Sequence, residues 1–203
     1  MRTGVLGGTF DPPHVGHLIL AAEACDQLGL DRVLWVLTAT PPHKEGWNVR
    51  PWEQRYEMLQ AALNNNPRFV ISRIDIDRPG PYYAVDTVRL LRAASPQDEL
   101  YYLMGGDSLH DLPVWHDPGG FLAAIDGLGV MRRPGDAINL SRLEGELPGI
   151  THKIRFIDAP LLEISSRQIR QRIVSGHAFR YYLPASVYRM IVENDWYRPE
   201  TQA

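Results

Sequence analysis

Gly4-Val5-Leu6-Gly7-Gly8-Thr9-Phe10-Asp11-Pro12-Pro13-His14-Val15-Gly16-His17 is the stretch on which the reading of this chain turns. A short apolar run reaches a double glycine, then a polar loop, two prolines and an amphipathic run. That order reads as a buried strand, a tight turn and the start of a helix. Gly7 and Gly8 remove side chains that would keep a phosphate away from backbone N–H groups. Pro12 and Pro13 suit a first helical turn, where a missing N–H costs nothing. The helix is expected to bury Leu18, Ala21, Ala22, Cys25 and Leu28, spaced three and four apart, and Gly29 is placed to end it.

A helix start at the end of a strand is a ready anion site, because its N–H groups and its dipole both favour negative charge. His14 and His17 are three apart and share one face of the first turn, so both can point donors at one phosphate. Gly16 between them leaves room for a ligand to approach the backbone. A His-x-x-His pair is also half of a zinc site, but no Cys or Glu follows at a matching spacing. The stretch is neither the dinucleotide fingerprint Gly-x-Gly-x-x-Gly nor a Walker loop, which needs Gly-Lys-Ser/Thr.

Outward from this point, residues 33–37 form an unbroken apolar run, as suits a parallel strand covered on both faces. Strand, helix, strand is therefore the opening unit, and a right-handed crossover is expected. Thr40-Pro41-Pro42-His43-Lys44 lies just past that second strand, at the sheet edge where open α/β sheets bind ligands. Lys44 there reads as a phosphate clamp or as a solvated loop lysine. Residues 51–64 read as a helix and 69–76 as a strand, and Arg78-Pro79-Gly80-Pro81 is a turn.

A helix opens at Tyr82-Tyr83-Ala84-Val85-Asp86-Thr87 and holds Val85, Val88 and Leu91. Asp86 there is either a ligand contact or an early-helix carboxylate favoured by the dipole. Residues 100–104 form a fourth strand ending in Gly105-Gly106-Asp107-Ser108, again at the ligand edge. Leu112-Pro113-Val114-Trp115-His116 follows as a loop. A fifth strand at 128–131 precedes Arg132-Arg133-Pro134-Gly135. A short helix is expected around 140–147 and a last strand at 153–157. Ser165 and Ser166 cap a helix whose buried stripe is Ile169 and Ile173. A final helix buries Val187, Met190 and Ile191.

The whole chain sets wider bounds. Its 203 residues suffice for one well-buried domain. A net charge of −3 argues against a general nucleic-acid binder, so any anion must be held by a local cluster. No apolar stretch approaches bilayer length. The first residues already hold a strand and the glycine turn, so no signal peptide is expected. The one cysteine, Cys25, falls on the apolar helix face, and a reducing cytoplasm fits it.

The opening motif resembles the signature of the His-x-Gly-His nucleotidyltransferases, and within them it is similar to the bacterial nicotinate-nucleotide adenylyltransferase family. Pro41-Pro42-His43-Lys44, Asp86-Thr87, Leu112-Pro113-Val114-Trp115 and Ile164-Ser165-Ser166-Arg167-Gln168-Ile169-Arg170 match that family's motifs in order, over nearly the full length. Ala84 and Arg167 each stand where the family has threonine, and Gly106 where it has alanine.

The resemblance implies a Rossmann-like, doubly wound parallel sheet with helices on both faces. It implies a single nucleotidyltransferase domain over 1–203, in which the helical part at 162–198 completes the ATP site. ATP is expected at Gly8, Thr9, Phe10, His14, His17, Gly105, Asp107, Ile164, Ser165, Ser166 and Arg170, with Asp107 on ribose hydroxyls. Nicotinate mononucleotide is expected at Lys44, Ala84, Asp86, Thr87, Trp115, His116 and Arg133. His14, His17, Lys44 and Arg170 are the expected catalytic groups. Mg2+ is expected to arrive with ATP, with no protein ligand. The partners are then the two substrates, with no nucleic acid and no membrane, and a homo-oligomer is compatible with all of this. The competing readings are an adenylyltransferase acting on the nicotinamide mononucleotide or on both mononucleotides, one acting on phosphopantetheine, a non-catalytic nucleotide sensor, and an RNA-binding relative of the class I tRNA synthetases.

Overall fold

A computed structural model describes residues 1–40, 49–63, 66–132, 138–160 and 162–198. Among these the strands are β1 (Arg2–Gly8), β2 (Arg32–Leu37), β3 (Phe69–Ser72), β4 (Glu99–Gly105), β5 (Gly127–Met131) and β6 (Ile154–Ile157). They form one sheet in the order β3-β2-β1-β4-β5-β6, and every pairing is parallel. Val5 of β1 faces Leu34 on one side and Tyr102 on the other. This is the doubly wound α/β architecture expected from the sequence.

The helices are α1 (Val15–Gln27), α2 (Trp52–Leu63), α3 (Ala84–Ala94), α4 (Gly106–Asp111), α5 (Pro118–Ala124), α6 (Leu140–Glu146), α7 (Ile150–Lys153), α8 (Ser166–Val174) and α9 (Ala185–Glu193). Neighbouring strand residues point to opposite faces, so the apolar runs feed two cores. Val5, Leu34, Val36, Leu100, Tyr102 and Val130 pack against α3, α5 and α6. Leu6, Val33, Trp35, Leu37 and Leu103 pack against α1 and α2. A third cluster joins Met58 and Ala62 of α2 to Ile169 and Ile173 of α8, Val187 and Ile191 of α9, and Trp196. Each fully buried Leu or Val contributes about 1.5–3 kcal/mol relative to exposure, which is why continuous apolar strands must be covered on both faces.

Besides the short helices α4, α5 and α7, which the sequence reading did not include, and Gly7-Gly8, which continue β1, further local features differ from that reading. Pro12 and Pro13 precede α1, whose N-cap is His14. The buried stripe of α1 is Gly16, Leu20, Ala21, Ala24 and Cys25, while Ala22 is exposed and Leu18 and Leu28 are half-buried. Apart from Glu23 the run from Leu18 to Cys25 is apolar, so spacing left the helix phase open. β3 stops at Ser72, because Arg73 to Asp77 close a turn through Asp77 N–H on Arg73 O and an ion pair between their side chains at 2.8 Å. Met190 is half-buried, whereas Val187 and Ile191 are buried. No helix among the described residues is long and apolar enough to cross a membrane.

Candidate active site

The chain reverses its winding between β1 and β4, and a crevice must open there at the carboxyl ends of the strands. A cleft of about 540 Å3 lies at that place. The ends of β1 and β4, the starts of α1 and α3, and residues Trp115 and His116 form its walls.

The first wall is the turn from β1 into α1. Phe10 is left-handed at φ 48, and its ring is buried against Trp35, 5.5 Å between centroids. Its edge meets His17 at 5.1 Å. A Cβ at Gly8 would lie 3.0 Å from that ring, so the strand passes over it with little space to spare. The buried Phe10 ring thus supports the turn through His17 and Trp35, and Phe10 is not among the residues that line the cleft.

His14 and His17 both line the cleft, their rings stacked 3.6 Å apart at 22°. The backbone N–H of His14 donates to Nδ1 of His17 at 3.1 Å. An Nδ1 that accepts carries no proton, so the neutral ring holds its proton on Nε2. A Cβ at Gly16 would come within 3.1 Å of His14 Nδ1. Gly16 therefore packs closely against the first imidazole.

Arg55 is the residue that sequence reasoning missed. It is 1 % exposed. Its guanidinium donates to Thr9 O at 2.8 Å, Thr38 O at 2.9 Å and Ala39 O at 2.5 Å, and Nε donates to Arg50 O at 2.8 Å. One planar fork thereby ties the end of β1 to the segment after β2. Burial lowers the Arg55 pKa, and the nearby Asp11 charge opposes that shift. The signal was present: Arg55 falls on the inward stripe of α2 with Met58, Leu59, Ala62 and Leu63.

Ser165 is the N-cap of α8 in a reciprocal capping box with Gln168, at 3.2 Å and 3.1 Å. Ser166 Oγ donates to Pro12 O at 2.8 Å, and Arg170 Nη1 donates to Asp11 O at 2.6 Å. None of the three lines the cleft; Ser166 and Arg170 instead brace the turn that does, while Ser165 holds the start of α8. Ile164 and Leu162, just before α8, reach the cleft themselves.

The second wall is aromatic. Tyr83 caps α3 and stacks on His116, centroids 4.1 Å apart at 22°. Trp115 stands edge-on to Phe121 at 5.5 Å and to Tyr102 at 6.1 Å, and it lines the cleft with Tyr82, Tyr83 and Ala84. Burial, with the Asp75 charge behind it, pushes the Tyr102 phenol well above its ordinary value. Thr87 is buried, and its hydroxyl donates to Asp75 Oδ1 at 2.7 Å. Arg78 completes that group with an ion pair to Asp75 at 3.0 Å. Burial raises the Asp75 pKa, while Thr87 and Arg78 oppose the shift. Thr87 therefore anchors α3 from within and, like Asp86, does not line the cleft. Gly105 and Asp107 do line it, at the junction of β4 and α4.

Lys44 and Arg133 lie outside the described residues. Among the described residues no group of three or more His, Cys, Asp or Glu could hold a metal ion.

The model of the cytidylyltransferase-like family matches residues 5–172. The probable nicotinate-nucleotide adenylyltransferase of Thermomicrobium roseum is 43% identical over 197 residues, covering 97% of this chain and 92% of its own. That of Thermus thermophilus is 42% identical over 198 residues, covering 98% of this chain and 100% of its own. This chain belongs to the nicotinate-nucleotide adenylyltransferase family. The fold agrees with a solved Plasmodium falciparum nicotinic acid mononucleotide adenylyltransferase complexed with NaAD, at TM-score 0.80, 16% identity and 97% coverage of both chains.

Of the residues that carried the resemblance, this member of the nicotinate-nucleotide adenylyltransferase family gathers Gly8, Thr9, His14, His17, Ala84, Gly105, Asp107, Trp115, His116 and Ile164 around one cleft. The histidines and the β1 turn stand at one wall, and the aromatic group stands at the other. A polyanion and a planar ring fit that division.

Proposed function

We infer that the chain joins ATP to nicotinate mononucleotide, giving nicotinate adenine dinucleotide and pyrophosphate, a step of NAD biosynthesis. The observation that carries this reading is the two-sided cleft, with the His14–His17 pair at the start of α1 and Trp115 with the N-terminus of α3 opposite.

The nucleophile is the phosphate monoester of the mononucleotide, which is already ionised and needs no general base. Its oxygen attacks the α-phosphorus of ATP, and the bond from that phosphorus to the pyrophosphate oxygen breaks. Catalysis is then positioning and charge stabilisation. His17, with Nδ1 engaged by the His14 backbone, donates from Nε2 to the α-phosphate as charge builds. His14 and Thr9 hold phosphate oxygens beside it, and Asp107 takes a ribose. Lys44 contributes charge at the outer phosphates. Arg170 acts in this reading through the turn it braces. Magnesium, when bound with ATP, would supply charge neutralisation on the phosphates; such a hard cation keeps several waters and needs no all-protein cage. Trp115 stacks on the pyridinium, and the backbone near Ala84 and His116 receives its carboxylate. The segment carrying Leu162 and Ile164 supports an ATP site completed by the helical part at 162–198.

The test is pyrophosphate release with ATP and magnesium, offering nicotinate mononucleotide and nicotinamide mononucleotide in parallel. Strong preference for the acid supports the reading. Comparable rates identify a dual-specificity enzyme, and silence with both overturns the assignment.

A further inference from the structure

Tyr197 is left-handed at φ 68, a conformation that bulky side chains seldom adopt. Its phenol reaches across the fold and donates to Asp11 Oδ1 at 2.6 Å. Asp11 is 2 % exposed and lies in the turn between β1 and α1, next to Phe10, itself left-handed at φ 48. Two bulky left-handed residues, distant in sequence, are thus linked through one buried carboxylate.

The surroundings hold this link in place. Arg170 Nη1 sits 3.8 Å from Asp11 Oδ2 while donating to Asp11 O. The guanidinium of Arg50, just before α2, lies 4.8 Å from the Tyr197 ring centre and 5.1 Å from that of Trp196. Burial and the Asp11 carboxylate push the Tyr197 phenol far above its ordinary value, so it stays a donor. A plain structural corner needs neither a strained backbone nor a buried carboxylate, since apolar packing serves as well. Here both are concentrated on the turn that presents Thr9, His14 and His17 to the cleft.

We infer that Tyr197 is a positioning residue for the adenylyl transfer: its phenol fixes the Asp11 carboxylate, and Asp11 fixes the turn that carries the two histidines. This inference rests on the reaction proposed above. Tyr197 does not line the cleft, so its effect must pass through Asp11.

Tyr197→Phe removes one oxygen and keeps the ring beneath Arg50. Turnover is expected to fall about tenfold or more, since small misplacements of catalytic groups are costly. The Michaelis constants for both substrates should stay within about twofold, which separates positioning from lost binding. The double variant Tyr197→Phe/Asp11→Asn should lose little more than the worse single variant, as expected of residues acting as one unit. Amide hydrogen exchange over residues 9–17 should quicken about tenfold in folded Tyr197→Phe, because the turn opens more often. That readout needs no substrate. Turnover within about twofold of the unaltered protein, strictly multiplicative losses in the double variant, or unchanged exchange would each overturn the inference. A chain that releases no pyrophosphate before any substitution overturns the proposed reaction instead, and the exchange measurement still decides whether Tyr197 holds the turn.

Discussion

His14 and His17 are locked to each other: the His14 N–H donates to His17 Nδ1 at 3.1 Å, and the two rings stack 3.6 Å apart. The backbone therefore chooses the tautomer of the second histidine and leaves its Nε2 proton as the donor. His17→Ala should lower turnover about 10²–10³-fold, the usual effect of removing one transition-state donor, with little change in the Michaelis constant for ATP. Steady-state kinetics in both substrates check this; equal losses in turnover and ATP affinity would make His17 a ground-state binding group.

Trp115 is held by edge contacts to Phe121 and Tyr102. Its proposed partner carries a positive ring, for which cation–π attraction is worth about 0.5–2 kcal/mol. Trp115→Ala should raise the Michaelis constant for nicotinate mononucleotide about 2- to 30-fold and leave that for ATP nearly unchanged. If both constants rise together, Trp115 is a packing residue only.

Arg55 bonds four carbonyl oxygens from one buried position. Arg55→Met should destabilise the fold by about 3 kcal/mol, because the carbonyls lose charged donors inside the protein. Arg55→Lys should recover less than half of that, since an ammonium lacks the planar fork. Urea unfolding of the three proteins at neutral pH gives the comparison, and a lysine variant as stable as the original would refute the geometric account.

Glu144 accepts from the Thr151 hydroxyl at 2.6 Å, from Gly149 N–H at 2.7 Å and from Thr151 N–H at 3.1 Å. These bonds, the hydroxyl first, hold its pKa down to about 2. The folded value lies below the unfolded one, so the folded state binds fewer protons and this stabilisation is complete above about pH 4.3. It fades as pH falls toward the folded value of about 2. The stability gap between the protein and Glu144→Gln should therefore shrink between pH 5 and pH 2, which unfolding curves across that range will show. A gap independent of pH would mean that the carboxylate charge plays no part.

The amino-acid sequence by itself determined the sheet class, a strand-to-helix turn following the double glycine and the family, because these rest on local apolar runs, glycines and contiguous motifs; the structure keeps Gly7 and Gly8 within β1 and starts the turn at Thr9. It left the phase of α1 open, because the run from Leu18 to Cys25 is apolar on nearly every side. The tertiary structure decided which motif residues face the cleft. Thr87 turns inward to Asp75, and Ser166 and Arg170 reach back to Pro12 and Asp11. Those partners lie 12, 154 and 159 residues away, and a buried donor takes whatever acceptor the packed chain brings to it. Spacing along one strand or helix cannot report such meetings. The same holds for Tyr197 and Asp11, which are 186 residues apart and meet only because α8 and α9 fold back over the first turn of the chain.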